Sequence, residues 1–330
     1  MRLINLNEKN KTLKVFWLGR YGKRNITDFT EAVEWEGSDT QTSRKATVSV
    51  AYNPYKKLAL NLKLGDRIYL KENAYLFYGV VTSAERTGDI GTVKYMAKDY
   101  MHYLLRSTGS YNFKQTTPEE VTEKVCSDLQ IITEGVYRTG IYLESLLFEE
   151  INYYKMIVEA YNQAARKQNP QNPAAFMPVM RKDRLGVVVK GQSSGRTLYS
   201  DRDITKSSYS MTSDSMVDRV KIVNSSGEQI GEEKDEGNIQ KYGIYQSIYK
   251  EEKGVNPSDA ARQLLSGVTK EASVEAVGYC ECVAGTSVKI YDSASGLTGK
   301  FYIENDKHTW KDGVHTMNLS LKFRNGLEEV

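Results

Sequence analysis

The sequence predicts a mainly β protein with an α+β insert: two antiparallel β-barrel or sandwich domains separated by a small α/β domain. Three observations carry that expectation. Short runs in which apolar and polar residues alternate, divided by turn residues, fill residues 1–108 and 201–330. Between them, residues 109–200 hold two capped helical patterns and one hairpin pattern. The β runs follow one another without a helix between each pair, so a sandwich or barrel is favoured over a parallel sheet.

In the first domain, Ala46, Val48 and Val50 alternate with Thr47 and Ser49, which places one row on a core and one in water. Ile68 and Leu70 follow a turn at Gly65-Asp66, and Val93, Tyr95 and Ala97 follow a turn at Thr87-Gly88-Asp89. Lys56 and Lys57, after Asn53-Pro54-Tyr55, read as loop decoration. In the insert, Thr117-Pro118-Glu119-Glu120 has the form of a capping box with proline at the first helical position, and Val121, Val125 and Leu129 then share a face. Ile157, Ala160, Tyr161 and Ala164 define a second helix that starts near Asn152 and is over by Pro170. A loop over 169–178 leads into a hairpin: strands at 176–180 and 185–189 around a Lys182-Asp183 turn. Gly191-Gln192-Ser193-Ser194-Gly195 precedes strands rather than a helix, so it reads as a linker and not as a phosphate cradle.

In the last domain, Val217, Val220, Ile222 and Val223 begin a strand that ends at Asn224-Ser225-Ser226-Gly227. Residues 227–237, with Glu228, Glu232, Glu233, Asp235 and Glu236 against Lys234, are expected as a solvated loop. One helix, about 257–270, is capped by Asn256 and opened by Pro257, with Ala260, Leu264, Leu265 and Val268 as its buried stripe. The chain closes on three alternating runs: Val288 and Ile290; Phe301 and Ile303; and Met317, Leu319, Leu321 and Phe323. Turns at Ser293-Ala294-Ser295-Gly296 and Lys311-Asp312-Gly313 divide them.

Composition narrows the function. With 330 residues and 40% hydrophobic content, two or three domains with cores of their own are expected. A net charge of +3 gives no reason to invoke nucleic acid or an anionic membrane as main partner. Three cysteines do not make a disulfide scaffold, residues 1–10 lack an apolar stretch of signal-peptide length, and no window approaches the ~20 apolar residues of a membrane span. Synthesis in the cytoplasm is the expectation. The 23 tyrosines against 8 phenylalanines suit half-buried or shared surfaces.

Chemical signatures are sparse. Cys280 and Cys282, with His308 and His315, could assemble a metal site, but residues two apart on a strand share a face and the spacing departs from zinc knuckles, so both cysteines are expected in a core and no metal is assigned. His308 is expected at a strand end or turn, and His102 in the packing of the first domain. Glu149 and Glu150 could supply the two carboxylates of a glycosidase, yet any chain with 42 acids offers such pairs, and the nucleophile-elbow, zinc-protease and papain-like patterns are missing. No catalytic residue and no cofactor is expected. Tyr242, Tyr245 and Tyr249, beside Gln246 and Lys250, are the candidate subunit or partner contact.

The order of parts resembles the baseplate hub proteins of contractile phage tails and phage-tail-like particles, the late control protein D group and the prophage tail hubs. The resemblance covers nearly the whole chain and rests on Val93, Ala97 and Asp99 at the end of the first β domain, the helix at 154–166, and Gly299-Lys300-Phe301-Tyr302-Ile303 leading to His308. It implies a homotrimer whose paired tail-tube-like β domains, 1–108 and 201–330, build a six-part ring joining the tail tube protein to a central spike protein, among neighbouring baseplate proteins. Any DNA would only pass through the lumen. A ring of this kind closes only if its unlike interfaces impose compatible rotations. The competing readings are a particle-associated cell-wall hydrolase and a carbohydrate-binding β module.

Overall fold

The computed structural model describes residues 13–40, 43–52, 60–86 and 91–324, so the turn expected at 87–89 and Lys56 and Lys57 lie outside the described residues. The chain forms two compact units, Met1–Ser207 with Ser273–Val330, and Ser208–Ala272. It is mostly β, with a large antiparallel sheet and a small helical insert.

The first β region contains β1 (Lys14–Gly19), β2 (Gly22–Asn25), β3 (Thr30–Ser38), β4 (Lys45–Tyr52), β5 (Arg67–Lys71), β6 (Tyr75–Arg86) and β7 (Gly91–Lys98), in the spatial order β3-β4-β7-β6-β5-β1-β2. The alternating rows meet as the pattern requires: Ala46, Val48 and Val50 of β4 lie opposite Ala97, Tyr95 and Val93 of β7. All six are buried with Ile68 and Leu70 in one core. Helix α1 (Met101–Arg106) follows.

The insert contains β8 (Thr108–Thr116), α2 (Pro118–Asp128), β9 (Ile132–Val136), β10 (Leu143–Asn152), α3 (Tyr153–Gln168), β11 (Phe176–Arg181) and β12 (Arg184–Val189). Both helix starts are as the sequence predicts. The Thr117 hydroxyl accepts from the Glu120 N–H, the Glu120 carboxylate accepts from the Thr117 N–H, and Asn152 Oδ1 accepts from the Lys155 N–H. Val121, Val125, Ile157, Ala160 and Tyr161 then fall in a single core with Leu146, Phe148 and Leu185. The Tyr161 hydroxyl sits in that core at no polar deficit, because it donates to the Tyr137 carbonyl at 2.5 Å. The antiparallel β8–β10 pair, which the sequence reading does not contain, covers one side.

After the insert come β13 (Gln192–Tyr199) and β14 (Ile204–Thr212). The expected linker at 191–195 is thus mostly strand: β13 runs parallel to β19 (Thr286–Asp292). Its serines and glycine satisfy a backbone ladder as well as apolar residues would. The unit Ser208–Ala272 holds β15 (Arg219–Val223), β16 (Gln229–Lys234), α4 (Glu236–Tyr242), β17 (Gln246–Lys250) and α5 (Pro257–Leu264). The acidic stretch 227–237 is therefore not a loop. It forms the edge strand β16 and opens α4, because its backbone pairs with β15 and Arg262 binds the Glu233 carboxylate at 2.9 Å. Charged residues suit an edge that must not recruit other chains.

Asn256 caps α5 as expected, but the helix stops at Leu264, Ala261 is its buried residue and Leu264 is 43% exposed. The Ser266 N–H bonds to the Val217 carbonyl at 2.8 Å, which draws the chain into extended form two residues past the helix.

The remaining strands are β18 (Thr269–Val277), β20 (Leu297–Lys311) and β21 (Val314–Lys322), with tight turns at Gly296 (φ 77°) and at Asp312-Gly313 (φ 52° and 76°). β20 decides the architecture. Its first half pairs with β19; its second half pairs with β21 on one side and, through Asn305↔Ser38 to Lys311↔Ala32, with β3 on the other. The two β regions are thereby continuous in a 13-stranded sheet.

Candidate functional site

The seam between β3 and β20 holds a cluster of buried polar groups. Asp306 is fully buried and accepts from Arg44 Nη1 at 2.9 Å, from Arg44 Nη2 at 2.5 Å and from the Ala284 N–H at 2.6 Å. Arg44 lies over the Trp35 ring, 4.1 Å from its centroid. Asp99, one of the residues behind the family resemblance, is also buried: its carboxylate accepts from the N–H groups of Arg44 (3.2 Å) and Met101 (3.1 Å), tying the start of β4 to α1.

Burial pushes the Asp99 carboxyl up to about 7 from 3.8, against the opposing charge and N–H of Arg44. A folded-state value above the unfolded one means that Asp99 contributes stability fully below the unfolded value, and that this contribution is lost as pH rises through about 7. Relative to Asp99→Asn, the native protein is expected to lose stability as pH is raised across that interval, measured as the difference in urea midpoints. A difference that does not change with pH would show that the carboxyl titrates at its ordinary value.

His308 is not at a strand end. It sits mid-strand in β20 opposite Trp35, fully buried. Its Nε2 lies 3.1 Å from the Cys282 carbonyl and its Nδ1 3.1 Å from His315 Nε2. Burial holds both rings well below the usual histidine range, His308 at about 4 and His315 at about 3, so both are neutral at pH 7. Cys280 and Cys282 lie in the turn after β18, not on a strand; Cys282 is buried and Cys280 half-buried. Glu72, Cys280 and His315 bring donor atoms within 4.8 Å of one another. Glu72, from the bend between β5 and β6, was absent from every sequence constellation, because nothing local connects it to residues more than two hundred positions away. His102, at the first turn of α1, is half-buried beside Tyr103.

The three tyrosines fall in the Ser208–Ala272 unit and are half-buried: Tyr242 ends α4, Tyr245 lies in the connector and Tyr249 is on β17. They do not share one role. Tyr249 packs against Val220, Ile222 and Ala261, while the Tyr245 backbone binds Asp218 through its N–H (2.9 Å) and its carbonyl. The neighbours that alternate with them, Ile244 at 55% and Ile248 at 62% exposure, are the outward apolar residues of this stretch. Period-two alternation through 244–249 was the available signal.

Glu149 and Glu150 are exposed neighbours at the bulge of β10, beside an open groove with Ser110 and Asn112 on its rim. Adjacent acids on one rim do not face each other across a cleft as glycoside hydrolysis requires. None of the described helices is long and apolar enough to cross a membrane.

This fold recurs in known proteins. The 43 kDa tail protein of prophage MuSo2 from Shewanella oneidensis has a TM-score of 0.70 at 12% identity, covering 94% of this chain and 98% of its own. The c3393 protein of E. coli, a type VI secretion component with structural similarity to the T4 bacteriophage tail proteins gp27 and gp5, has a TM-score of 0.51 at 9% identity, covering 90% and 76%. The fold is one found in phage tail proteins and in a type VI secretion component. Residues 33–322 match the YqbQ-like family, and the phage-like element PBSX protein XkdQ of Bacillus subtilis strain 168 is 24% identical over 311 residues, covering 91% of this chain and 94% of the relative. The chain belongs to the YqbQ-like family.

Proposed function

We propose that this chain is the structural baseplate hub of a contractile tail or tail-like particle, forming a trimer whose six β regions build a pseudo-sixfold ring between the tail tube and the central spike. The observation that carries the reading is the β3–β20 seam: one protomer holds two antiparallel β regions bonded strand to strand, so three protomers supply six. The match along 91% of the chain to a protein of a phage-like element supports a particle component, and likeness to tail proteins supports a structural rather than catalytic role. In this reading the three-domain division 1–108, 109–200 and 201–330 gives the first tube-like region, the insert and the second tube-like region. Partner contacts use the 208–272 unit, with Tyr242 and Tyr245 beside the outward Ile244 and Ile248, and Tyr249 holding the strand that carries Ile248. Aromatic and branched apolar groups desolvate well at interface centres.

The test is native mass measurement of the 37.4 kDa chain, alone and with its cognate spike, together with electron microscopy of particles made with and without the gene. Trimers, and loss of spiked tubes without the gene, are expected. A chain that stays monomeric in both mixtures, or spiked tubes that assemble in its absence, would overturn the reading.

A further inference from the structure

We propose that Glu72, Cys280 and His315 form a binding site for one divalent cation of the zinc class, which clamps the hairpin bend of the first β region to the loop and strand of the second.

The Cys282 oxygen can only accept, so the His308 Nε2 that faces it at 3.1 Å carries the proton. His308 Nδ1 lies 3.1 Å from His315 Nε2, so that contact occupies one ring nitrogen of His315 and leaves Nδ1 for another partner. That Nδ1 is 3.9 Å from the Glu72 carboxylate, too far for a hydrogen bond. Nitrogen, carboxylate and the Cys280 sulfur lie within 4.8 Å of one another, a spacing that one cation between them would satisfy.

Thiolate, imidazole and carboxylate are the donor set that zinc accepts, three protein ligands leaving one position for water. Zinc bond lengths of roughly 2.0–2.3 Å require the donors to close by about 1 Å, within reach of side-chain rotation. The surroundings hold each ligand: Trp310 Nε1 donates to Glu72 Oε1 at 3.1 Å, the Trp310 ring stacks on His315 at 4.0 Å, and His308 fixes the far nitrogen. Such supporting groups orient metal ligands. Gly278 completes the fit, since a Cβ there would lie 2.2 Å from the His315 ring. On binding, the Cys280 thiol gives its proton to solvent and the sulfur donates to the cation; nothing is oxidised or reduced.

The test loads the purified full chain with Zn²⁺ or Co²⁺ and removes excess metal. One ion per chain is expected, with thiolate-to-cobalt charge-transfer absorption and an unfolding temperature raised by Zn²⁺ and lowered again by chelator. Cys280→Ser should lose the charge-transfer band and the thermal gain. Trp310→Phe, which removes the bond to Glu72 and shrinks the ring stacked on His315, should weaken binding by about 10–100-fold. The inference fails if the native chain retains no ion. It fails equally if Cys280→Ser, folded by its urea midpoint without metal, keeps the same band or the same stoichiometry.

Discussion

Replacing Arg44 with alanine is expected to destabilise the fold by about 3–5 kcal/mol, because it strands a buried carboxylate. Asp306 is fully buried and receives two guanidinium hydrogen bonds. Among the described residues, the variant leaves it the Ala284 N–H and the distant His308 nitrogen at 3.5 Å. Arg44 keeps 20% of its side chain in solvent, so water at the vacated site sets how far the loss falls within that range. The pair joins the start of β4 to β20, so the variant should also loosen the seam between the two β regions. Urea unfolding measures the loss, and a double-mutant cycle with Asp306→Ala separates pair from single terms: removing both groups should cost less than the sum of the two single changes. A loss below about 1 kcal/mol for Arg44→Ala would show that solvent replaces the guanidinium.

Ile157→Ala should cost about 2–5 kcal/mol, the range for truncating a fully buried aliphatic side chain whose surroundings collapse incompletely. Ile157 is 0% exposed in α3, in one core with Val121 and Val125 of α2 and Leu185 of β12. Elements on several sides cannot all move into the space. Following helix circular dichroism against urea isolates this region, since α2 and α3 are the two longest described helices. A change in midpoint with an unchanged slope is the expected form. A loss under about 1 kcal/mol would mean that the insert core repacks freely and that α3 is not held by this face.

The local signals in the sequence were read correctly where the chemistry is local. A capping box, an asparagine cap, a two-residue turn at Lys182-Asp183 and the Asp312-Gly313 turn each involve groups a few residues apart, and the structure forms them where the spacing says. Strands that lack side-chain alternation were less legible. β13 opens on Gln-Ser-Ser-Gly and β16 is mostly glycine and charged residues, and they are strands because a neighbour offers a backbone ladder, which leaves little trace in side-chain type. For the same reason the helix after Asn256 is shorter than its sequence pattern: the pull on Ser266 comes from Val217, forty-nine positions earlier.

By itself, then, the sequence determined the class of fold, the starts of α2, α3 and α5, the turns at Lys182-Asp183 and Asp312-Gly313, and the buried rows of β4, β7 and β21, since alternation and capping depend on neighbours in the chain. Only the tertiary structure decided that β20 would join β3. Alternation tells a strand which face to bury and says nothing of which strand it pairs with. Arg44 meets Asp306 across 262 positions, and His308, a turn residue by its local sequence, becomes the buried partner of His315, whose ring nitrogen lies with Glu72 and Cys280.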